Sequence, residues 1–177
     1  VLPLYENSEL KNPSVRNARK YKALPHRFLS DYEYSIWVDG NATPRGDVNE
    51  LLSEFLNDSN VAVYDKMSCK LDPWGCIYEE AERIFQFGKI NSEKDPEKGI
   101  KAFKDNPVVI KKQVKKYEEE GFPKNLGLLS AMVIVRRHNE NDSIQLGESW
   151  WSEMKYYSHL DQMSFNYVAW KHDKRRC

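Results

Sequence analysis

A layered α/β domain is the fold that this sequence predicts, and three observations carry it. Three short runs are rich in β-branched and aromatic residues: Tyr34–Val38, Asn60–Asp65 and Leu128–Val135. Between and after them, apolar residues recur at helical spacing. No internal repeat or long linker interrupts the 177 residues, a length that suits one domain, 1–177, with a core of its own. Strands alternating with helices indicate stacked layers.

The elements follow in order. Residues 1–12 read as irregular, and Arg16–Lys22 as a short basic helix stopped by Pro25. Tyr34–Val38 is nearly continuous in apolar residues, which predicts an interior strand covered on both faces, and Asp39-Gly40-Asn41 ends it in a turn. Pro44 and Gly46 keep the chain in a loop until Asp47 or Asn49 caps a helix carrying Leu51, Leu52, Phe55 and Leu56. Asn60–Asp65 is the second buried strand. A loop with Pro73, Trp74 and Gly75 follows, then a helix from Cys76 to Phe87. The polar stretch Gly88–Gly99 reads as a solvated insertion. Asn106-Pro107 opens another helix, with Pro at its first turn, and Gly121 follows its end. Leu128–Val135 is the third strand, and helices over about 146–157 and 160–170 close the chain.

Composition narrows the function classes. Lys plus Arg and Asp plus Glu both number 27, so the net charge is zero, which argues against a dedicated nucleic-acid binder. Five Trp, ten Tyr and seven Phe supply core packing and are compatible with a sugar-binding cleft. Cys69, Cys76 and Cys177 form no zinc signature and read as free thiols ahead of a Cys69–Cys76 pair. No apolar run approaches the roughly 18 residues that span a membrane. No signal peptide is visible, and with so few cysteines the expected compartment is the cytoplasm. The chain does not begin with Met, so it is expected to be processed, trimmed or a fragment.

Three groups of residues can carry chemistry. In Trp37-Val38-Asp39-Gly40-Asn41, a carboxylate and an amide leave the end of a strand together, offering two oxygen ligands at a sheet edge where α/β proteins bind ligands. Mn²⁺ or Mg²⁺ favours such oxygens and completes its shell with substrate phosphates. An ordinary Asp-Gly turn accounts for the same residues. Near the C-terminus, Glu148 and Asp161 can activate an acceptor hydroxyl or stabilise positive charge on a sugar; a helix N-cap or first-turn acid is the plainer role for Asp161. Upstream, Arg16, Arg19 and Lys20 share a helix face, with Lys22 beyond, and suit phosphate oxygens or plain solvation. Of Trp150 and Trp151, one is expected in the core and one in a cleft. His172, near the chain end, is the histidine placed to return to the cleft as a nitrogen ligand.

Taken together, Arg16–His26, Tyr34–Asn41, Cys76–Ala81, Gly121-Phe122-Pro123 and Leu160–Phe165 resemble the glycosyltransferase-like domains once catalogued as a domain of unknown function in bacteria, viruses and plants. The resemblance runs from about residue 14 to about 171. It implies a GT-A-type, Rossmann-like three-layer α/β/α domain with a mixed, mostly parallel central sheet. Asp39 and Asn41 stand at the positions of an Asp-x-Asp metal motif. Arg16, Arg19, Lys22 and Trp37 fall on the donor-binding side, and Asp161 and Gln162 match an Asp-Gln pair beside the donor sugar. The chain departs from the pattern with Asn41 in place of Asp and with no His-Pro in Lys66–Lys70. The resemblance also implies a β-α-β stretch before residue 1, which this sequence is expected to lack or to carry in reduced form.

The implied activity is metal-dependent transfer of a sugar from a UDP- or GDP-sugar to a hydroxyl acceptor such as a glycan. A nucleotide-sugar or carbohydrate-binding domain without turnover is the second reading. A metal-dependent hydrolase, which some plant relatives bring to mind, is the third.

Overall fold

The computed structural model describes residues 13–43, 45–65 and 75–173. Cys69, Cys177 and the loop Lys66–Lys70 lie outside them, as do residues 1–12, Pro44, Pro73 and Trp74. The element order is α1 (Pro13–Ala23), β1 (Ser35–Val38), α2 (Val48–Phe55), β2 (Val61–Asp65), α3 (Ile77–Lys94), α4 (Pro107–Glu119), β3 (Leu129–Arg136), α5 (Asn141–Tyr156) and α6 (Phe165–Lys171). Short 3-10 turns at Pro25–Arg27, Pro96–Ala102 and Asp161–Met163 connect them.

Local chemistry explains the helix starts. Asp47 accepts a hydrogen bond from the Asn49 amide at 2.7 Å and caps α2. Asn106 does the same for Val108 at 2.9 Å, with Pro107 in the first turn of α4. These donors would otherwise lack partners at a helix N-terminus. Gly88 does not end α3, and the predicted insertion from Gly88 to Gly99 begins as six more helical residues after Gly88, as far as Lys94. The glycine serves packing: a Cβ there would lie 1.9 Å from the Phe103 ring. The turn Pro96–Ala102 thereby folds back onto α3.

The sheet corrects the expectation of a mostly parallel, Rossmann-like one. Among the described residues it has three strands in the order β1-β3-β2, and β3 runs antiparallel to both neighbours. Two helices, α3 and α4, intervene between β2 and β3, so the chain re-enters the sheet from the end at which it left. The single-helix crossover through α2 does leave β1 and β2 parallel to each other, but β3 separates them. The interior strand is therefore β3, and β1 is an edge strand, half-buried beyond Ser35. Near-continuous apolar character in so short a run cannot distinguish these positions.

A bulge in the β2–β3 ladder decides which β3 residues face the core. Val63 pairs with Ile134, yet the next residue, Tyr64, pairs with Ser130. This skip inverts the alternation, so Ile134 and Ala131, three apart, both reach the core while Met132 is exposed. Tyr64 is exposed as well, whereas Val135, on the face opposite Ile134, is buried, so that face is covered in part among the described residues. Trp150 and Trp151 both belong to the core, at 1% and 9% exposure, which corrects the expectation of one cleft tryptophan. No helix among the described residues is long and apolar enough to cross a membrane.

Candidate functional site

The edge strand β1 delivers Asp39 to the site. Its backbone amide donates to Met132 O at 2.8 Å, extending the β1–β3 ladder one residue past Val38. The chain then turns: the Ala42 amide donates to Asp39 O at 2.9 Å, closing a four-residue turn with Gly40 and Asn41 at its centre. Gly40 and Asn41 are exposed. Trp37 Nε1 donates to Asp39 Oδ1 at 2.7 Å, locking the carboxylate against its own strand. The plain Asp-Gly turn is therefore present, and it leaves Gly40 and Asn41 open at the edge of the sheet.

Helix α1 supplies the counter-charge. Lys22 is fully buried, and its Nζ donates to Asp39 Oδ1 at 2.9 Å and to Asp161 Oδ2 at 2.5 Å. The ammonium also lies 5.5 Å from the centre of the Trp37 ring. Arg19, one turn earlier, holds Asp161 Oδ2 at 2.8 Å. Two carboxylates and two cations thus form one neutral quartet joining α1, the β1 edge and the Asp161 turn. Burial opposes ionisation of Asp39, but the hydrogen bonds from Trp37 and Lys22, with the charges of Lys22 and Arg19, outweigh it and hold the carboxyl below its ordinary range. Asp39 Oδ2 has no protein partner among the described residues.

Asp161 is fixed from several sides. Its Oδ1 accepts from the Gln162 amide at 3.0 Å, and it is the first-turn acid of its 3-10 turn rather than the N-cap, which is Leu160. Trp150 Nε1 donates to Asp161 O at 3.2 Å. The preceding loop is anchored on Asp105, whose Oδ2 accepts from Ser158 Oγ at 2.8 Å and from the His159 amide at 2.9 Å. His159 Nδ1 lies 2.8 Å from the same oxygen, but too obliquely for a hydrogen bond. Burial raises the Asp105 carboxyl, yet His159, Ser158 and the Asn106 amide bring it down to about 2. Arg16 Nη2 donates to Tyr157 O at 2.9 Å, tying the same loop to α1.

The expected residues therefore divide. Asp39, Lys22, Trp37, Arg19 and Asp161 come together, with Gln162 beside them. Arg16 is buried against the Tyr157 carbonyl, and its pKa is lowered by that burial. Glu148 joins a different cluster: Oε1 is 2.9 Å from His26 Nε2, and Arg27 grips both oxygens at 2.7 and 2.5 Å. Burial works against ionisation of Glu148, but Arg27 and His26 prevail and lower its pKa. His172 meets Ser149 Oγ at 2.8 Å rather than Asp39 or Asn41. Asp105, Ser158 and Trp150 are supporting residues the sequence did not single out for this task. Asp105 directly precedes the Asn106-Pro107 helix start, and its partners Ser158 and His159 lie more than fifty residues away in sequence.

The fit of a cation is limited by the donor set. No group of three His, Cys, Asp or Glu side chains is placed to hold a metal among the described residues. Asp39 and the exposed Asn41 are the oxygen-bearing side chains at this turn, and a cage made wholly of protein is not formed by them. No curated protein and no solved structure matches the chain. Residues 5–176 match the TOD1/MUCI70, glycosyltransferase-like domain, so this chain, with its Asp39–Lys22–Asp161 junction, belongs to that family of glycosyltransferase-like domains.

Proposed function

We propose that the chain is a glycosyltransferase that moves a sugar from a nucleotide-diphosphate donor to a hydroxyl acceptor, a glycan among the candidates. The observation that carries this reading is the quartet of Asp39, Lys22, Asp161 and Arg19, drawn from both ends of the chain to the edge of the sheet. Family membership supports the reaction class. Asp39 stays ionised at neutral pH and, through Oδ2 and with Asn41, would hold Mn²⁺ or Mg²⁺. Bound there, the ion would neutralise the departing diphosphate. Arg19, partly exposed, is the cation best able to reach phosphate oxygens. Asp161 is the carboxylate at the sugar, with Gln162 beside it. Glu148 is the less favoured second carboxylate, because Arg27 and His26 already engage both of its oxygens.

Donor binding without turnover is a second reading, and the neutrality of the quartet favours it. Two acids already matched by two protein cations need no incoming charge.

The test is calorimetric titration with UDP- and GDP-sugars, with Mn²⁺ and then with a chelator, on the wild-type chain and Asp39→Ala. The expected result is metal-dependent binding that Asp39→Ala loses while unfolding as cooperatively as wild type. Donor and metal binding untouched by Asp39→Ala would remove the ligand role of Asp39. No binding of any donor under either condition would sink both readings. A turnover assay with a donor that binds then separates transferase from binder.

A further inference from the structure

Arg136, the last residue of β3, is only 5% exposed, and burial lowers its guanidinium pKa to about 10. Its Nη1 donates to Lys22 O at 2.8 Å, a neutral acceptor at the end of α1. Nothing negative balances it: no carboxylate pairs with Arg136 among the described residues, and its Nε has no hydrogen-bond partner. Ser35, its cross-strand neighbour in the β1–β3 register, is also buried, and its hydroxyl has no partner either. An isolated buried cation is among the most expensive things a fold can contain, and buried polar groups are otherwise almost always satisfied.

Both residues line one cavity of about 130 Å³, between the end of α1 and the β1–β3 edge. Its other walls are apolar or aromatic, including Ile36, Phe28, Tyr21 and Trp37. Tyr21 and Phe28 lie with ring centres 4.4 Å apart, and with Trp37 they are half-buried, so the cavity has an aromatic mouth. An apolar cavity of about 150 Å³ accommodates a benzene ring. The charge and the walls therefore ask for different halves of one small molecule.

We propose that this cavity binds a small carboxylate with a flat apolar body, of the size of benzoate. The Arg136 guanidinium takes the carboxylate, with the Ser35 hydroxyl donating beside it, and the aromatic rings flank the body. The site adjoins the quartet: Lys22 gives its side chain to one and its carbonyl to the other, and Trp37 donates to Asp39 while lining the cavity.

The experiment is titration of the full chain with benzoate, followed by calorimetry and by the NMR shift of the Arg136 Nε–H. Benzamidine, with the same body and a positive head, and inorganic phosphate, with charge and no body, are the controls. Saturable benzoate binding that shifts the Arg136 signal is expected, with neither control competing. Arg136→Met should weaken it at least tenfold. Ser35→Leu, which extends into the cavity from the same sheet face as Arg136 and keeps the guanidinium, should do likewise, so the test survives if Arg136→Met fails to fold. No saturable benzoate binding, or binding unchanged in either variant, overturns the proposal. Phosphate binding as tightly as benzoate would overturn the apolar half.

Discussion

Lys22 and Arg136 are buried one hydrogen bond apart, yet their electrostatic surroundings are opposite. Lys22, the shorter and more strongly hydrated cation, sits between Asp39 and Asp161 with every direction of its charge answered. Arg136 faces a backbone carbonyl, an idle serine hydroxyl and aromatic rings. The difference teaches what each region is built for. The first is a closed junction that holds three distant segments in register. The second is an uncompensated charge beside open space, which is the electrostatic form of a site awaiting an anion.

The strongest way to break the comparison is Lys22→Met. It leaves two carboxylates facing each other without their shared ammonium, and the expected loss is about 3–5 kcal/mol in urea unfolding at neutral pH. A loss below about 1 kcal/mol would mean that Arg19 and water suffice, and that the junction is not closed by Lys22.

Asp105→Asn sharpens the picture by loosening the loop that carries Asp161. The folded carboxyl lies at about 2 against an ordinary 3.8, so its contribution is complete above about pH 5 and is lost as pH falls through 3.8 toward 2. We expect a cost of about 2 kcal/mol at pH 7 that shrinks steadily in acid, read from unfolding midpoints across pH. A cost independent of pH would assign the effect to shape and not to charge.

Arg136→Met is expected to cost only about 1 kcal/mol. One hydrogen bond to the Lys22 carbonyl is lost, while the burden of an unpaired buried charge is relieved. A loss as large as that of Lys22→Met would show Arg136 to be a structural cation after all. The smallest effect belongs to Arg27→Ala. Its partner Glu148 and Arg27 itself are substantially exposed, so about 0.2–1 kcal/mol is expected, diminishing in added salt.

Much of the local structure was legible because its causes lie within a few residues. Asp47 and Asn106 cap helices through amides two positions ahead, and Asp39-Gly40-Asn41 makes a turn because those residue types favour one. The segments of the family resemblance were legible for a different reason, since residue types recur there in order. Gly88 was misread because glycine commonly ends helices, and its actual partner, Phe103, is close only after the chain has folded back. The two tryptophans were likewise separable only by knowing which side of α5 meets the core, and both proved to be buried.

The parts of the site that were legible follow the same division. Asp39, Lys22 and Asp161 were each identified as chemical residues, and so were Glu148 and His172. That Lys22 joins the first two acids, while Arg27 claims Glu148 and Ser149 claims His172, rests on distances between segments far apart in sequence.

By itself the sequence determined the starts of α2 and α4, the three strand segments, the turn after Trp37 and the family, because propensity and residue order act along the chain. The tertiary structure alone decided that β3 lies between β1 and β2, that a bulge carries Ala131 to the core, and which cation met an acid and which did not. Those outcomes depend on which distant surfaces exclude water together, and burial is a property of the assembled fold.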